Sequence, residues 1–232
     1  MATPPLSVII PALNESAGIV SQLEALQDLR RQDAEIILVD GGSDDNTLEL
    51  ASPLVDLAMM SQRGRATQMN AGARSSTGDA LLFLHADTLL PAGADQFIHG
   101  AIAAGAVWGR FDIRIAGAHP LLLLVARMMN WRSRLTGIAT GDQAIFVRRS
   151  TFEQIGGYPE LPLMEDIALS KRLKRIAVPV CLRECVVTSG RRWEKHGVTR
   201  TILLMWRLRA AYFFGAAPEE LAARYGYPPH AR

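Results

Sequence analysis

Apolar positions along the first ninety or so residues keep two alternating rhythms. Residues 6–10 (LSVII) form an almost unbroken aliphatic run closed by Pro11, and residues 35–39 (EIILV) repeat it before Asp40 and two glycines. Such runs predict strands buried on both faces, as in a parallel sheet. Between them Ile19, Leu23, Leu26 and Leu29 recur near helical spacing, with Ser16 as a candidate cap, so the chain opens as a βαβ unit. A short helix in DNTLELAS, a strand over residues 55–60, a helix over 66–74 and a strand from Ala80 in ALLFLHAD continue the alternation. This order predicts an α/β fold, a Rossmann-like, mainly parallel sheet flanked by helices.

After Asp87 the pattern loosens, and the sheet is expected to gain antiparallel strands. Residues 91–104 read as a helix, 107–115 alternate like an exposed strand, and 121–135 read as an amphipathic helix. GDQAIFVRRSTFEQIGGY reads as strand, turn and short helix ended by Gly156 and Gly157. EDIALSKRLKRI begins a helix whose Leu169, Leu173 and Ile176 share a face, which puts Glu165 and Asp166 at its N-terminus. Residues 200–214 are again helical. At 232 residues there is little room for a second full domain, so residues 1–195 are expected to form the sheet-based unit and 196–232 a helical extension packed on it.

Composition narrows the classes. With 49% hydrophobic and 21% charged residues the chain is ordinary globular material. Twenty-five Lys and Arg against 23 Asp and Glu give no field of the kind that marks a duplex binder, so no nucleic-acid partner is expected. The N-terminus lacks a basic region before an uninterrupted apolar core, and the longest apolar run, residues 121–126, is far short of the roughly 20 residues that span a bilayer. A cytoplasmic protein is expected. Cys181 and Cys185 read as small core residues rather than a disulfide or a metal pair.

The chemistry concentrates in acids at strand ends and at a helix start. Asp40 in ILVDGGSDDNT and Asp87 in LFLHADT fall at the same edge of a doubly wound sheet, where ligands bind. Asp87 is either a hard oxygen ligand for Mg²⁺ or Mn²⁺ or a cap on the following turn. Asp40 either closes a tight turn or accepts hydrogen bonds from a base and ribose that Gly41 and Gly42 allow to approach. No GxGxxG is present, so a nicotinamide fingerprint is not supported.

Four stretches, SVIIPALNE, EIILVDGGSDDNT, GRATQMNAGARSSTGDALLFLHADT and GDQAIFVRRSTFEQIGGYPELPLMEDIALSKRL, resemble in order and interval the family-2 glycosyltransferases of the GT-A type, over about residues 5–195. The resemblance implies transfer of a sugar from a nucleoside-diphosphate sugar to an acceptor, with Mg²⁺ or Mn²⁺ as cofactor and inversion at the anomeric carbon. It matches Pro11, Ala12, Asn14 and Glu15 to the first nucleotide-binding loop, Asp40 to the acid facing the base or ribose, and Arg65, Gln68 and Asn70 to the segment that closes over the donor. Asp87 matches the last, metal-holding acid of the family's DxD. His85 and Ala86 stand where its other positions lie, with His85 placed to touch ribose or phosphate. Gly141, Asp142 and Gln143 match the acceptor and sugar pocket, Asp166 the catalytic base, and Glu165 a residue that orients or caps. VDGGS, HAD and SGRRW are most similar to the radical-SAM/selenodomain-associated subgroup, whose label names no substrate.

The basic run SGRRWEKHG supplies Arg191 or Arg192 for a diphosphate, Trp193 to stack on an acceptor and His196 as a further metal or phosphate contact, or else is a solvated turn. Residues 121–131 and 202–214 mix apolar faces with Arg127, Arg132, Arg134, Arg207 and Arg209, which suits core packing, a homodimer interface or an anionic membrane surface carrying a lipid-linked acceptor. Two other readings stay open: a sugar-phosphate nucleotidyltransferase, whose Gly-rich basic loop PALNESAGIV lacks, and a non-enzymatic nucleotide-sensing or membrane-surface protein.

Overall fold

The computed structural model describes residues 6–226, apart from the side chains of Arg192 and His196. The first half comprises β1 (Leu6–Ala12), α1 (Ile19–Glu24), α2 (Gln27–Arg31), β2 (Glu35–Asp40), α3 (Thr47–Ala51), β3 (Leu57–Met60), α4 (Arg65–Ser75), β4 (Ala80–Phe83), β5 (Thr88–Leu89) and α5 (Ala94–Ala103). The second comprises β6 (Trp108–Ile115), α6 (Leu121–Thr136), β7 (Ile145–Arg148), α7 (Arg149–Gln154), α8 (Glu165–Leu173), β8 (Val180–Thr188), α9 (Arg191–His196), α10 (Val198–Phe213) and α11 (Pro218–Tyr225).

The strands form one sheet in the order β3-β2-β1-β4-β7-β6-β8-β5. The first four are parallel to one another, β7 is antiparallel to both β4 and β6, β8 runs parallel to β6, and β5 is antiparallel to β8. From β1 the chain steps outward to β2 and β3 on one side and to β4 on the other. The loops after β1 and β4 therefore border the crevice where such a sheet takes its ligands.

Alternate strand residues serve opposite faces. Val8, Ile10, Ile36, Leu38, Leu82 and Phe146 pack beneath α1, α5 and α6, whereas Ile9, Leu81, Phe83, Ile145 and Val147 pack against α4, α7 and α8. Helix α4 lies tight on the sheet because Gly72 has no side chain, and a Cβ there would come within 2.5 Å of Ile9 Cγ2. The last two helices close a separate cluster, in which Leu208 and Leu221 meet Leu163, Met164 and Ile167. Helix α9 runs through the expected boundary between residues 195 and 196. No helix among the described residues is long and apolar enough to cross a membrane.

Several local expectations are corrected. The first helical stretch is two short helices, and Ser16 does not cap it; the Ser16 amide instead donates to Asp45. β6 is largely buried, because β7 and β8 flank it and α6 covers it. Its Arg110 is 0% exposed, with its guanidinium spent on Asp112, Ser133 and the Asn130 carbonyl. α8 stops at Leu173, so the exposed Ile176 lies outside the face it was expected to share. Cys181 and Cys185 are free thiols, partly rather than fully buried.

Candidate active site

Loops from both halves of the sheet converge on a cleft of about 1030 Å³. β1 delivers Pro11 and Ala12 with Glu15 beyond, the loop after β4 delivers His85, Ala86 and Asp87, and the entry to α4 delivers Arg63 and Arg65. The 3₁₀ turn Gly141–Gln143 and the N-terminus of α8 supply Gly141, Asp142, Glu165 and Asp166 from the opposite wall.

Asp87 is placed from two sides. The chain leaves β4 with the Leu84 amide still donating to the Ile9 carbonyl, and the Asp87 carbonyl accepts from the Ser189 amide at 3.1 Å. One residue on, Thr88 pairs with Thr188 in the β5–β8 ladder, their hydroxyls 3.0 Å apart. The Asp87 carboxylate lies 4.0 Å from Arg191 Nη2, which also donates to Glu15 at 3.1 Å. Thus one arginine bridges the loops after β1 and β4.

Asp166 is oriented by backbone donors. The Gly141 amide donates to Oδ2 at 2.9 Å, and the Ile167 amide, in the first turn of α8, donates to Oδ1 at 2.7 Å. Position 141 must be glycine for this, since a Cβ would sit 2.4 Å from His85 Nε2. Burial pushes the His85 imidazole down to about 3, helped by Arg65, so the ring is neutral near pH 7. Burial, then the adjacent Asp166, raises Glu165 above the ordinary carboxylate range, while Arg65 at 3.8 Å pulls the other way.

Deeper in the cleft Arg132 and Asp142 face an unmet demand. Arg132 Nη1 donates to the Ile138 carbonyl at 3.3 Å, but its Nε and Nη2 are shielded from solvent without a partner, as is Asp142 Oδ1. Burial, then Arg209, lowers the Arg132 guanidinium to about 10. Burial also raises Asp142, against the Thr140 hydroxyl.

A metal fits this cleft in one form only. No three His, Cys, Asp or Glu side chains among the described residues converge into a protein cage. Asp87 alone suits an ion that takes one carboxylate and completes its shell with substrate phosphates and water, as Mg²⁺ does. It does not suit one held by four protein ligands.

Comparison with known proteins gives this geometry its context. Residues 7–154 match the model of glycosyl transferase family 2. The chain belongs to that family. It is 34% identical over 175 residues to a PGL/p-HBAD biosynthesis glycosyltransferase of Mycobacterium bovis, covering 68% of this chain and 64% of that protein. It is 28% identical over 241 residues to "Probable glycosyltransferase YdaM" of Bacillus subtilis, covering 91% and 55%. The chain thus spans between about half and two thirds of the length of these curated relatives. Among solved structures it resembles the mannosyltransferase PcManGT of Pyrobaculum calidifontis, in complex with GDP-Man and Mn²⁺, with a TM-score of 0.64, 24% identity and coverage of 99% and 67%. S. aureus TarS 1-349 in complex with UDP matches with a TM-score of 0.65, 16% identity and coverage of 80% and 60%. These likenesses show the GT-A fold.

Against this family-2 frame, most of the anticipated residues reach the cleft: Pro11, Ala12, Glu15, Arg65, Gln68, His85, Ala86, Asp87, Gly141, Asp142, Glu165, Asp166 and Trp193 all line it. Gln68 does so while its amide ties the Ala12 and Val39 carbonyls together at 2.8 Å each. Four others do not line the cleft. Asn14 holds the Asp44 amide, and Asp40 spends both oxygens on the Gly42 and Ser43 amides and the Ser43 hydroxyl. Asn70 clamps the amide and carbonyl of Tyr158 at 2.9 Å each, and Gln143 is buried in a reciprocal cap with Thr140. The side chains of Arg192 and His196 fall outside the described residues. Arg63, Arg132 and Arg209 were not anticipated in the site. Arg132 was legible in principle, since it continues the helical stripe of Leu121, Val125 and Met128.

Proposed function

We propose that the chain transfers a sugar from a nucleoside-diphosphate sugar to an acceptor hydroxyl with inversion. The observation carrying this reading is that Asp166, aimed by the Gly141 amide, shares a cleft with Asp87 and Arg191. In the reaction the acceptor oxygen forms a bond to the anomeric carbon as its proton passes to Asp166. The bond from that carbon to the diphosphate breaks, and its electron pair leaves with the nucleoside diphosphate. A positioned base of this kind contributes about 10²–10⁴-fold in rate. Arg191 and Arg65 offer guanidinium donors to the departing diphosphate, and neutral His85 a hydrogen bond. Asp87 would hold Mg²⁺ or Mn²⁺, which supplies further charge neutralisation when bound. Family membership and the GDP-Man and UDP complexes of fold neighbours support this donor class. VDGGS, HAD and SGRRW keep the radical-SAM/selenodomain-associated subgroup as part of the reading.

The deciding experiment is a thermal-shift screen against UDP, GDP, CDP and TDP sugars with and without Mn²⁺. A ligand at a hundredfold its Kd adds about 2.7 kcal/mol. One base is expected to stabilise the protein, more strongly with metal, and Asp87→Ala is expected to lose the metal-dependent part. No shift with any nucleotide, metal present, overturns the reading.

A further inference from the structure

We infer that the acceptor is an amphipathic molecule whose apolar chain lies in the groove between α6 and α10 and whose hydroxyl-bearing head reaches Asp166. This rests on the transfer reading above.

The groove follows from helical spacing. Val125, Met128 and Trp131 on α6 and Ile202, Met205 and Trp206 on α10 form one stripe per helix, and both stripes wall the cavity that holds Asp87 and Asp166. Leu122 and Ala126 of α6 enter the sheet core and Val125 and Ile202 pack against its margin, whereas Met128, Trp131, Met205 and Trp206 belong to no core cluster among the described residues. Of fifteen large apolar side chains left exposed among the described residues, nine lie on α6, on α10 or at Phe214 just beyond it. Met128 is 47%, Trp131 66% and Trp206 59% exposed. Apolar exposure so concentrated marks a binding surface rather than scatter.

The inner end of the groove carries the second observation. Arg132 Nε and Nη2 and Asp142 Oδ1 are shielded and unpartnered there, with Arg209 beside them. Such atoms are costly to bury unpaired. A head with hydroxyls donates to Asp142 and accepts from Arg132, satisfying both at once. Pockets for one drug-sized ligand run to about 1,000 Å³. At about 1030 Å³ the cleft lies at the top of that range. The apolar walls are continuous with the catalytic carboxylates, which favours a substrate chain over a flat membrane contact or a second copy of the protein.

The test uses methyl, butyl, hexyl and octyl β-glucosides, each below its critical micelle concentration, with titration calorimetry as readout and nucleotide binding measured in parallel. Affinity should rise about two- to fourfold per added methylene. Met128→Glu and Trp206→Asp, at exposed positions, should weaken octyl glucoside at least tenfold and leave nucleotide affinity unchanged. Affinity independent of chain length, or equal octyl glucoside binding in both variants, overturns the inference. So does a dimer dissolved by Met128→Glu, or binding to phosphatidylglycerol vesicles, when no monomeric glucoside binds. Loss of glucoside binding alone defeats the groove assignment, whereas absence of nucleotide binding defeats the transfer reading beneath it.

Discussion

His85 occupies the space that a side chain at Gly141 would need: a Cβ there would lie 2.4 Å from His85 Nε2, and the same glycine's amide holds Asp166 Oδ2 at 2.9 Å. The loop after β4 and the proposed base are thereby coupled through one residue without a side chain.

Gly141→Ala should push His85 or the 3₁₀ turn aside and break the amide contact to Asp166. Overpacking of this kind costs about 1–3 kcal/mol of stability. Turnover should fall at least tenfold while nucleotide affinity changes much less, as single-turnover kinetics and calorimetry would report. Full activity in this variant would disconnect Gly141 from the base.

Asp166→Asn keeps the shape and, with its single acceptor oxygen, one of the two backbone contacts, but removes the proton acceptor. Transfer should drop about 10²–10⁴-fold. Nucleotide-sugar affinity should stay within a few-fold of the unaltered protein, and comparable loss of both would assign Asp166 to donor binding instead.

Glu165 gives a pH signature. Its folded-state carboxyl is raised by burial and by Asp166, so as pH rises the unfolded chain ionises first. The native state therefore loses stability from the ordinary carboxylate value up to the raised one, and the loss then stays constant. Glu165→Gln removes that loss, so its stability relative to the unaltered protein should be higher at pH 8 than at pH 4. Urea unfolding at the two pH values measures it; the opposite trend would show that Arg65 outweighs burial.

Asn70→Ala separates architecture from ligand binding. The amide satisfies the Tyr158 N–H and carbonyl, so its loss should cost about 1–3 kcal/mol. Nucleotide affinity of the folded variant should be unchanged when assayed well below its melting temperature.

The sheet and the acid pair were legible because their signals are local. Continuous apolar runs mark β1 and β2, and MED before a periodic stretch marks the start of α8. What escaped depends on distant partners. Arg110 and Asp112 made the β6 segment read as exposed, because the Ser133 and Asn130 groups that take up the arginine lie on another element. β5 has two residues and exists only through β8. Asp40 sits at the expected strand end, yet its own next turn absorbs its carboxylate, and no pattern of residue types distinguishes that from a ligand contact.

The two-sided hold on Asp87 also bears on biogenesis. Upstream it is fixed by strands made early, but downstream its neighbour Thr88 is registered by Thr188, 100 positions later. Contacts so far apart in sequence form late, because the loop between them must first be closed. A chain emerging from the ribosome can therefore assemble its first βαβ layer well before Asp87 settles. An incompletely synthesised or clipped copy that ends before β8 would hold the early strands without the Thr188 and Ser189 contacts that fix the chain at Thr88 and Asp87.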